Sequence, residues 1–402
     1  MRPVGSSAAR KTAHLTSGRA SLWLKGVFPL LLLGGLLGLF VTFGPMGVFR
    51  ASFPPIEELT LERVDFPAPG QVRVHLVNGG PEPVTVSQVI VDDAYWSFTM
   101  DGDATVERLG SAVLDVPYPW VSGEPLQIGL ITSTGLTFTR EVAVATESPR
   151  ADSRYLTTFV LLGLYVGVVP VFLGLLWLPF LREVPRHWMD FFLSLTIGLL
   201  VFLGVDALTE AVEMSGDVAS AFQGMGLVTM GVVGTPLVIQ GLSRLRKHGA
   251  GTEARRAAVL IALGIGLHNL GEGLAIGSAY AIGEITLGST LVIGFLLHNT
   301  TEGVGIVAPL AREPVRTGTL LTLGALAGLP TIAGALIGGL SYAPIATVLF
   351  LSIGAGAVIQ VVWVLGRLLS QREGGGLTGP LNAAGLLVGL VLMYATGLWV
   401  AF

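Results

Sequence analysis

Cysteine is absent from the 402-residue chain, which excludes disulfides and thiolate metal sites and leaves imidazole, carboxylate and amide as the available metal ligands. Charge is scarce too. Only 12% of the residues are Asp, Glu, Lys or Arg, against 51% hydrophobic residues and 55 glycines, a balance that places the chain in the membrane class. No Walker-type phosphate loop occurs, so ATP-driven work has no visible machinery, and the His-Glu-x-x-His pattern of metalloproteases is missing. The net charge of −4 discriminates little among the classes that survive.

What is present divides into four stretches. Residues 1–25 form a basic tail with Arg2, Arg10, Lys11, Arg19 and Lys25 and no acid. An apolar segment over 26–49 follows it. Its length and the lack of a small-x-small cleavage site favour a retained membrane anchor over a signal peptide. Over 50–150 the pattern changes to short alternating runs, among them Val72–Val77 and Thr137–Val144, separated by Gly, Pro and Asp turns. Period-two alternation of this kind predicts a small antiparallel β-sandwich. The acidic pairs Asp92-Asp93 and Asp101/Asp103 read as turn residues rather than as a cation-gathering rim, and His75 is given no role.

From 151 to 402 apolar runs succeed one another, and eight spans are predicted at about 155–180, 190–214, 221–242, 257–281, 285–310, 317–340, 343–366 and 380–402. The expected fold is an all-α polytopic membrane bundle of eight helices plus one N-terminal anchor helix, with the all-β sandwich inserted outside the membrane. Loop charge supports this count independently. Arg182 and Arg186, then Arg244, Arg246, Lys247, Arg255 and Arg256, then Arg312 and Arg316, and finally Arg367 and Arg372 lie in every second loop, and the alternate loops hold no Lys or Arg. Positive residues mark the cytoplasmic side. The β domain and the C-terminus are thereby expected outside the cell membrane, with the N-terminal tail in the cytoplasm. Glycine pairs four residues apart, such as Gly324/Gly328, Gly334/Gly338 and Gly385/Gly389, predict close helix packing in lipid and carry no ion-binding role.

Two spans contain the same polar insertion. Leu267-His268-Asn269-Leu270-Gly271-Glu272-Gly273 and Leu297-His298-Asn299-Thr300-Thr301-Glu302-Gly303 both follow His-Asn-x-x-Glu-Gly. Residues four apart on a helix lie about 40° from one another, so each His shares a face with its Glu, and Asn flanks them. An ionisable group at mid-bilayer costs at least about 2.5–3.5 kcal/mol and marks function by default. A single buried His or Glu also occurs as ordinary hydrogen-bonded core, but packing has no need for two copies with identical spacing. Antiparallel helices place His268 near the level of Glu302 and Glu272 near that of His298, so that four ligands surround one volume. Without metal both carboxylates are expected to be unpaired, and replacing either with Gln to raise stability. In the second span Asp206 and Glu210 share a face toward the outer side, with Glu213 beyond, and read as an entry path; an outer polar cap is the alternative.

The paired motifs resemble the fourth and fifth transmembrane helices of the ZIP metal permeases, and the resemblance covers Arg154 to the C-terminus. It implies eight helices, metal ligation by His268, Glu272, His298 and Glu302, and a contribution of Asn269 and Asn299 to an adjacent second ion site. Many members have Pro before the motif Glu, where this chain has Gly271 and Thr301. With Asn299 and Thr331 at positions where others carry acids, the second site is expected to be weak or absent.

The function so implied is secondary transport of a divalent transition metal into the cytoplasm, through a midplane His/Glu cage and in an elevator-like manner. Two imidazoles favour Zn²⁺, with Fe²⁺, Mn²⁺ or Cd²⁺ as further substrates, over Mg²⁺ and Ca²⁺. The ion is cargo and no catalytic cofactor is expected, and the chain is read as no enzyme. The other expected partner is the lipid bilayer, with a homodimer as an option and no nucleic acid. An intramembrane metal-dependent hydrolase and a membrane metal sensor are the alternatives.

Overall fold

Apolar helices and a small sheet domain divide the computed structural model, which describes residues 27–39, 56–148, 152–245, 252–281, 285–340, 344–371 and 376–400. Helix α1 (Val27–Leu39) is a short apolar helix within the predicted anchor; the basic tail and the rest of the anchor lie outside the described residues.

The sheet domain contains β1 (Leu59–Ala68), β2 (Gln71–Asn78), β3 (Val84–Val91), β4 (Ala94–Trp96), β5 (Thr99–Met100), β6 (Thr105–Val106), β7 (Ser111–Val116), β8 (Leu126–Thr132) and β9 (Thr137–Val142). Two antiparallel sheets form, in the orders β1-β2-β7-β5 and β4-β3-β8-β9, with β6 paired to β3. Alternation supplies the core: Val72, Val74 and Leu76 of β2 are buried, as are Ile128 and Leu130 of β8. In β3 the parity slips, because a register shift between Val86 and Gln88 lets both Val86 and Val89 point inward. Arg140 of β9 donates to the Leu61 and Glu62 carbonyls of β1 and so ties the two sheets.

Asp92 and Asp93 form the two-residue hairpin loop between β3 and β4, with φ of 46° and 64°. A type I′ turn requires positive φ at both positions, which Asp tolerates better than most residues. The Asp92 carboxylate also accepts from Tyr118 Oη at 2.8 Å and from the Gln127 amide at 3.0 Å. The turn reading of this pair thus has a structural account.

His75, which alternation alone left without a role, donates to Asp65 Oδ2 at 2.9 Å, and Arg63 donates to the same oxygen. Burial pushes the Asp65 carboxyl up, but His75 and Arg63 together outweigh it and hold the group below its ordinary value. A carboxylate depressed in this way stabilises the fold above the unfolded-state carboxylate range, and that contribution is lost as the pH falls through the folded value. Asp65→Asn is therefore expected to destabilise the β1–β2 hairpin by about 1–3 kcal/mol at pH 7 and by progressively less in acid. Hydrogen exchange of β1 and β2 amides against pH checks this; a loss that does not shrink in acid would contradict it.

Beyond the sheet domain, α2 (Ser153–Gly163), a π-helical turn (Leu164–Val168), α3 (Val169–Leu175) and α4 (Leu178–Glu183) succeed one another as one apolar segment. Asp152 caps α2 by accepting from the Tyr155 amide at 2.7 Å. There follow α5 (Arg186–Met214), α6 (Gly224–Leu245), α7 (Glu253–Ala281), α8 (Ile285–Val307), α9 (Thr317–Leu340), α10 (Pro344–Ser370) and α11 (Pro380–Val400). Among the described residues six segments are long and apolar enough to cross a membrane: Ser153–Glu183, Arg186–Asp217, Ser220–Leu242, Glu253–Ala281, Thr317–Leu340 and Pro344–Ser370.

Glycine brings these helices into backbone contact. A Cβ at Gly334 or Gly338 of α9 would overlap the Leu270 or Leu274 carbonyl of α7, and one at Gly389 of α11 would overlap Leu195 of α5. In lipid such approach replaces the hydrophobic effect as the source of association. Gly334→Ala is expected to cost about 1–3 kcal/mol by overpacking. Gly318→Ala, in the same helix with open space around it, is expected to be neutral or slightly stabilising. Equal melting temperatures for the two variants in detergent would count against this packing.

The sheet domain touches the helical part where Glu58 accepts from the Ser220 amide at 3.0 Å and from the Ser220 hydroxyl, in the loop between α5 and α6. Beside this contact, β1, β9 and the Gly216-Asp217 turn enclose a cleft of about 600 Å³.

Candidate metal centre

Each copy of the polar motif sits where its helix crosses another, and the last residue of the motif permits the crossing. A Cβ at Gly273 would overlap the Thr331 carbonyl of α9, and one at Gly303 would overlap the Val171 carbonyl of α3. The Asn serves the same contacts. Asn269 Nδ2 donates to the Ala327 carbonyl of α9 at 3.1 Å, and Asn299 Nδ2 donates to the Val166 carbonyl in the π turn at 3.0 Å. In both copies, then, Asn and Gly fix the neighbouring helix, and His and Glu are carried to the seam.

At the seam between α7 and α8 the groups converge on one atom. Glu272 Oε1 lies 3.0 Å from His268 Nε2 and 2.5 Å from His298 Nε2, and Glu272 Oε2 accepts from Asn299 Nδ2 at 3.2 Å. The imidazole rings of His268 and His298 are 6.5 Å apart between centroids. All three side chains are buried, and they offer ligand atoms within 4.8 Å of one another. Two imidazole nitrogens and a carboxylate oxygen at this spacing suit Zn²⁺, Fe²⁺ or Mn²⁺. With Glu272 ionised, each Nε2 donates to the carboxylate, so metal binding at these nitrogens requires that their hydrogens leave or shift to Nδ1.

The level of Glu272 with His298 is the one antiparallel packing predicts. Glu272 is nevertheless paired without any metal, in contrast to the expectation of two unpaired carboxylates. Glu302 is the unpaired one. It is 2% exposed and neither of its oxygens accepts a hydrogen bond. With His298 and Thr301 it faces a narrow crevice against Thr196, Leu199, Leu200 and Leu203 of α5. The Oδ1 atoms of Asn269 and Asn299 and the Thr331 hydroxyl are likewise buried without a partner. Four orphaned oxygen-bearing side chains thus stand near the seam, while the close ligand group holds three of the four residues expected in the cage.

Asp206 and Glu210 sit outside that group, on α5. Asp206 is exposed on the helix surface and Glu210 is half-buried.

Several features at the seam escape inspection of the motif alone. Gly354 of α10 packs so closely on His268 that a Cβ there would lie 3.3 Å from Nδ1. Thr301 Oγ1 donates to the His298 carbonyl at 2.6 Å, a local bond within the second copy of the motif. The π turn had a visible signal in Pro170. Neither a protein-family model nor a curated protein matches the chain.

Proposed function

We propose that this chain is a secondary transporter that admits a divalent transition metal, Zn²⁺ foremost and Fe²⁺ or Mn²⁺ as alternatives, across the cell membrane into the cytoplasm, in the manner of the ZIP permeases it resembles. The observation that carries the reading is the buried His268–Glu272–His298 group between two apolar helices. Such a group is costly in a bilayer and has the composition of a transition-metal site. In this reading α8 and α11 join the six apolar segments as the eight spans of a ZIP-like bundle. Loop charge puts the β domain and the C-terminus outside and the N-terminal tail inside. An impermeant thiol reagent should label a cysteine placed at 101 and spare one at 247, and the native chain contributes no background because it has no cysteine.

Transport at a midplane site proceeds by exposing it to each side in turn. Glu302, buried and unpartnered beside His298, completes the dication's charge balance in this reading. A three-ligand site with an open position also suits a catalytic metal, so the test is net flux. Proteoliposomes are expected to accumulate radioactive zinc and to discriminate against magnesium. Peptide or lipid cleavage without accumulation would establish a hydrolase, and zinc binding with neither would establish a sensor.

Asp206 and Glu210 raise the local cation concentration on the outer approach, at the end of α5 that leads to the cleft by Asp217. Replacing them with Asn and Gln is expected to slow uptake severalfold at low zinc and little at saturating zinc. Uptake unchanged at low zinc would reduce the pair to a structural cap.

A further inference from the structure

The π turn at Leu164–Val168 has a cause in the sequence and a consequence at the metal centre. In an α-helix the carbonyl of residue 166 would bond the amide of residue 170. That residue is Pro170, which has no N–H and whose ring crowds the carbonyl four residues back. The helix accommodates this with one wider turn, in which the Val169 amide reaches the Leu164 carbonyl five residues back. The Val166 carbonyl is left for another donor. It finds Asn299 Nδ2 at 3.0 Å, and the same amide nitrogen donates to Glu272 Oε2 at 3.2 Å. The position is tightly held: Val166 is fully buried, and Gly167 packs on Thr331 so closely that a Cβ there would overlap the hydroxyl.

From this geometry we infer that Pro170 and Asn299 are positioning residues for Glu272. The carbonyl freed by Pro170 orients the Asn299 amide with its nitrogen toward Val166 and Glu272, because the reverse orientation would set two carbonyl oxygens against each other. Asn299 in turn holds Glu272 Oε2, which turns Oε1 to the two imidazoles. This chain of contacts gives the amide beside the carboxylate in the second copy a use for both of its hydrogens. The consequence for metal affinity rests on the proposed reading of the site, whereas the coupling from proline to carboxylate does not.

The variant Pro170→Ala restores an N–H that competes for the Val166 carbonyl. Asn299→Leu keeps the volume and removes the donor. In the full-length protein in detergent, Pro170→Ala is expected to lower zinc affinity roughly tenfold, as loss of a group that orients a ligand does, while the metal-free melting temperature stays level or rises, since proline inside a helix is unfavourable. A proline of merely structural importance would move the melting temperature and leave affinity alone. The double variant is expected to bind zinc no more weakly than Asn299→Leu, and the metal-free melting temperatures of wild type, both singles and the double should be non-additive. Additive metal-free effects, or wild-type affinity in Pro170→Ala, would overturn the inference. Should Pro170→Ala fail to fold, Pro170→Ser carries the same test. A wild-type protein that binds no zinc would overturn the metal reading instead, and the metal-free cycle would still decide whether Pro170 and Asn299 are coupled.

Discussion

Replacing Glu272 with Gln is expected to abolish high-affinity zinc binding and uptake, with affinity falling at least about 100-fold, the upper end of what loss of a mere orienting partner costs. The reason lies in its central place. Both imidazoles donate to its Oε1, at 3.0 and 2.5 Å, and Asn299 donates to its Oε2. Gln removes the formal charge facing a dication in a low-dielectric seam, where each charge weighs far more than in water. It also leaves two imidazoles competing for a single amide oxygen. The metal-free protein is expected to suffer as well, because hydrogen bonds to a charged group contribute about 1.5–3 kcal/mol each. A lower melting temperature without zinc, together with a lost zinc-induced shift, is the signature to seek by thermal denaturation and proteoliposome flux. Full uptake in this variant would remove the cluster from any part in transport.

Much of this site was legible beforehand, and for a definite reason. Charged residues are so rare in the apolar runs that His268, Glu272, His298 and Glu302 stand out, and the repeated spacing marks them as a set. Helical periodicity then places each His on the face of its Glu, and opposite chain direction brings Glu272 to the level of His298. What periodicity cannot supply is asymmetry. Two identical motifs suggest a symmetric cage of four, whereas the side chains settle with Glu272 shared between both imidazoles and Glu302 left without a partner. That outcome depends on which third helix each copy leans on: α9 for the first, and α3 with its preceding π turn for the second.

The fold shows the same division. The β domain was legible from alternation in Val72–Val77 and Thr137–Val144, and β2 and β9 lie there, at Gln71–Asn78 and Thr137–Val142. The slip of parity in β3 was not, because a bulge leaves little trace in composition. Spans predicted from hydropathy fall within or close to the observed helices but misjudge several ends. Helix α5 begins at Arg186 and α7 at Glu253, since polar residues at an interface continue a helix that apolarity alone stops counting. The Gly334/Gly338 pair was recognised as packing, yet only the structure shows that the partner is the helix bearing His268 and Glu272. The motif helix and the small residues of α9 are therefore one packed unit, in which close backbone approach fixes where His268 and Glu272 stand.

Glu302→Gln is expected to act on the metal-free protein in the direction opposite to Glu272→Gln. Its carboxylate is buried to 2% exposure and neither oxygen accepts a hydrogen bond. An unsatisfied buried polar group costs about 1–3 kcal/mol, more when charged, and removing the charge lessens that cost. The melting temperature without zinc should rise. Zinc affinity should fall by at least tenfold if Glu302 supplies the second negative charge to the ion, because one carboxylate then faces a dication alone. The double variant distinguishes a shared ion from two independent effects. Ligands of one ion are not additive, so Glu272→Gln with Glu302→Gln should bind little more weakly than Glu272→Gln alone. On metal-free stability the two substitutions should partly cancel, one losing hydrogen bonds and the other relieving desolvation. Zinc titrations followed by thermal shift, on the two singles and the double, read both quantities from one data set. If Glu302→Gln keeps wild-type zinc affinity, Glu302 is not a ligand and the site is the three-residue group alone; if it lowers metal-free stability, the carboxylate has a partner that holds the helices together.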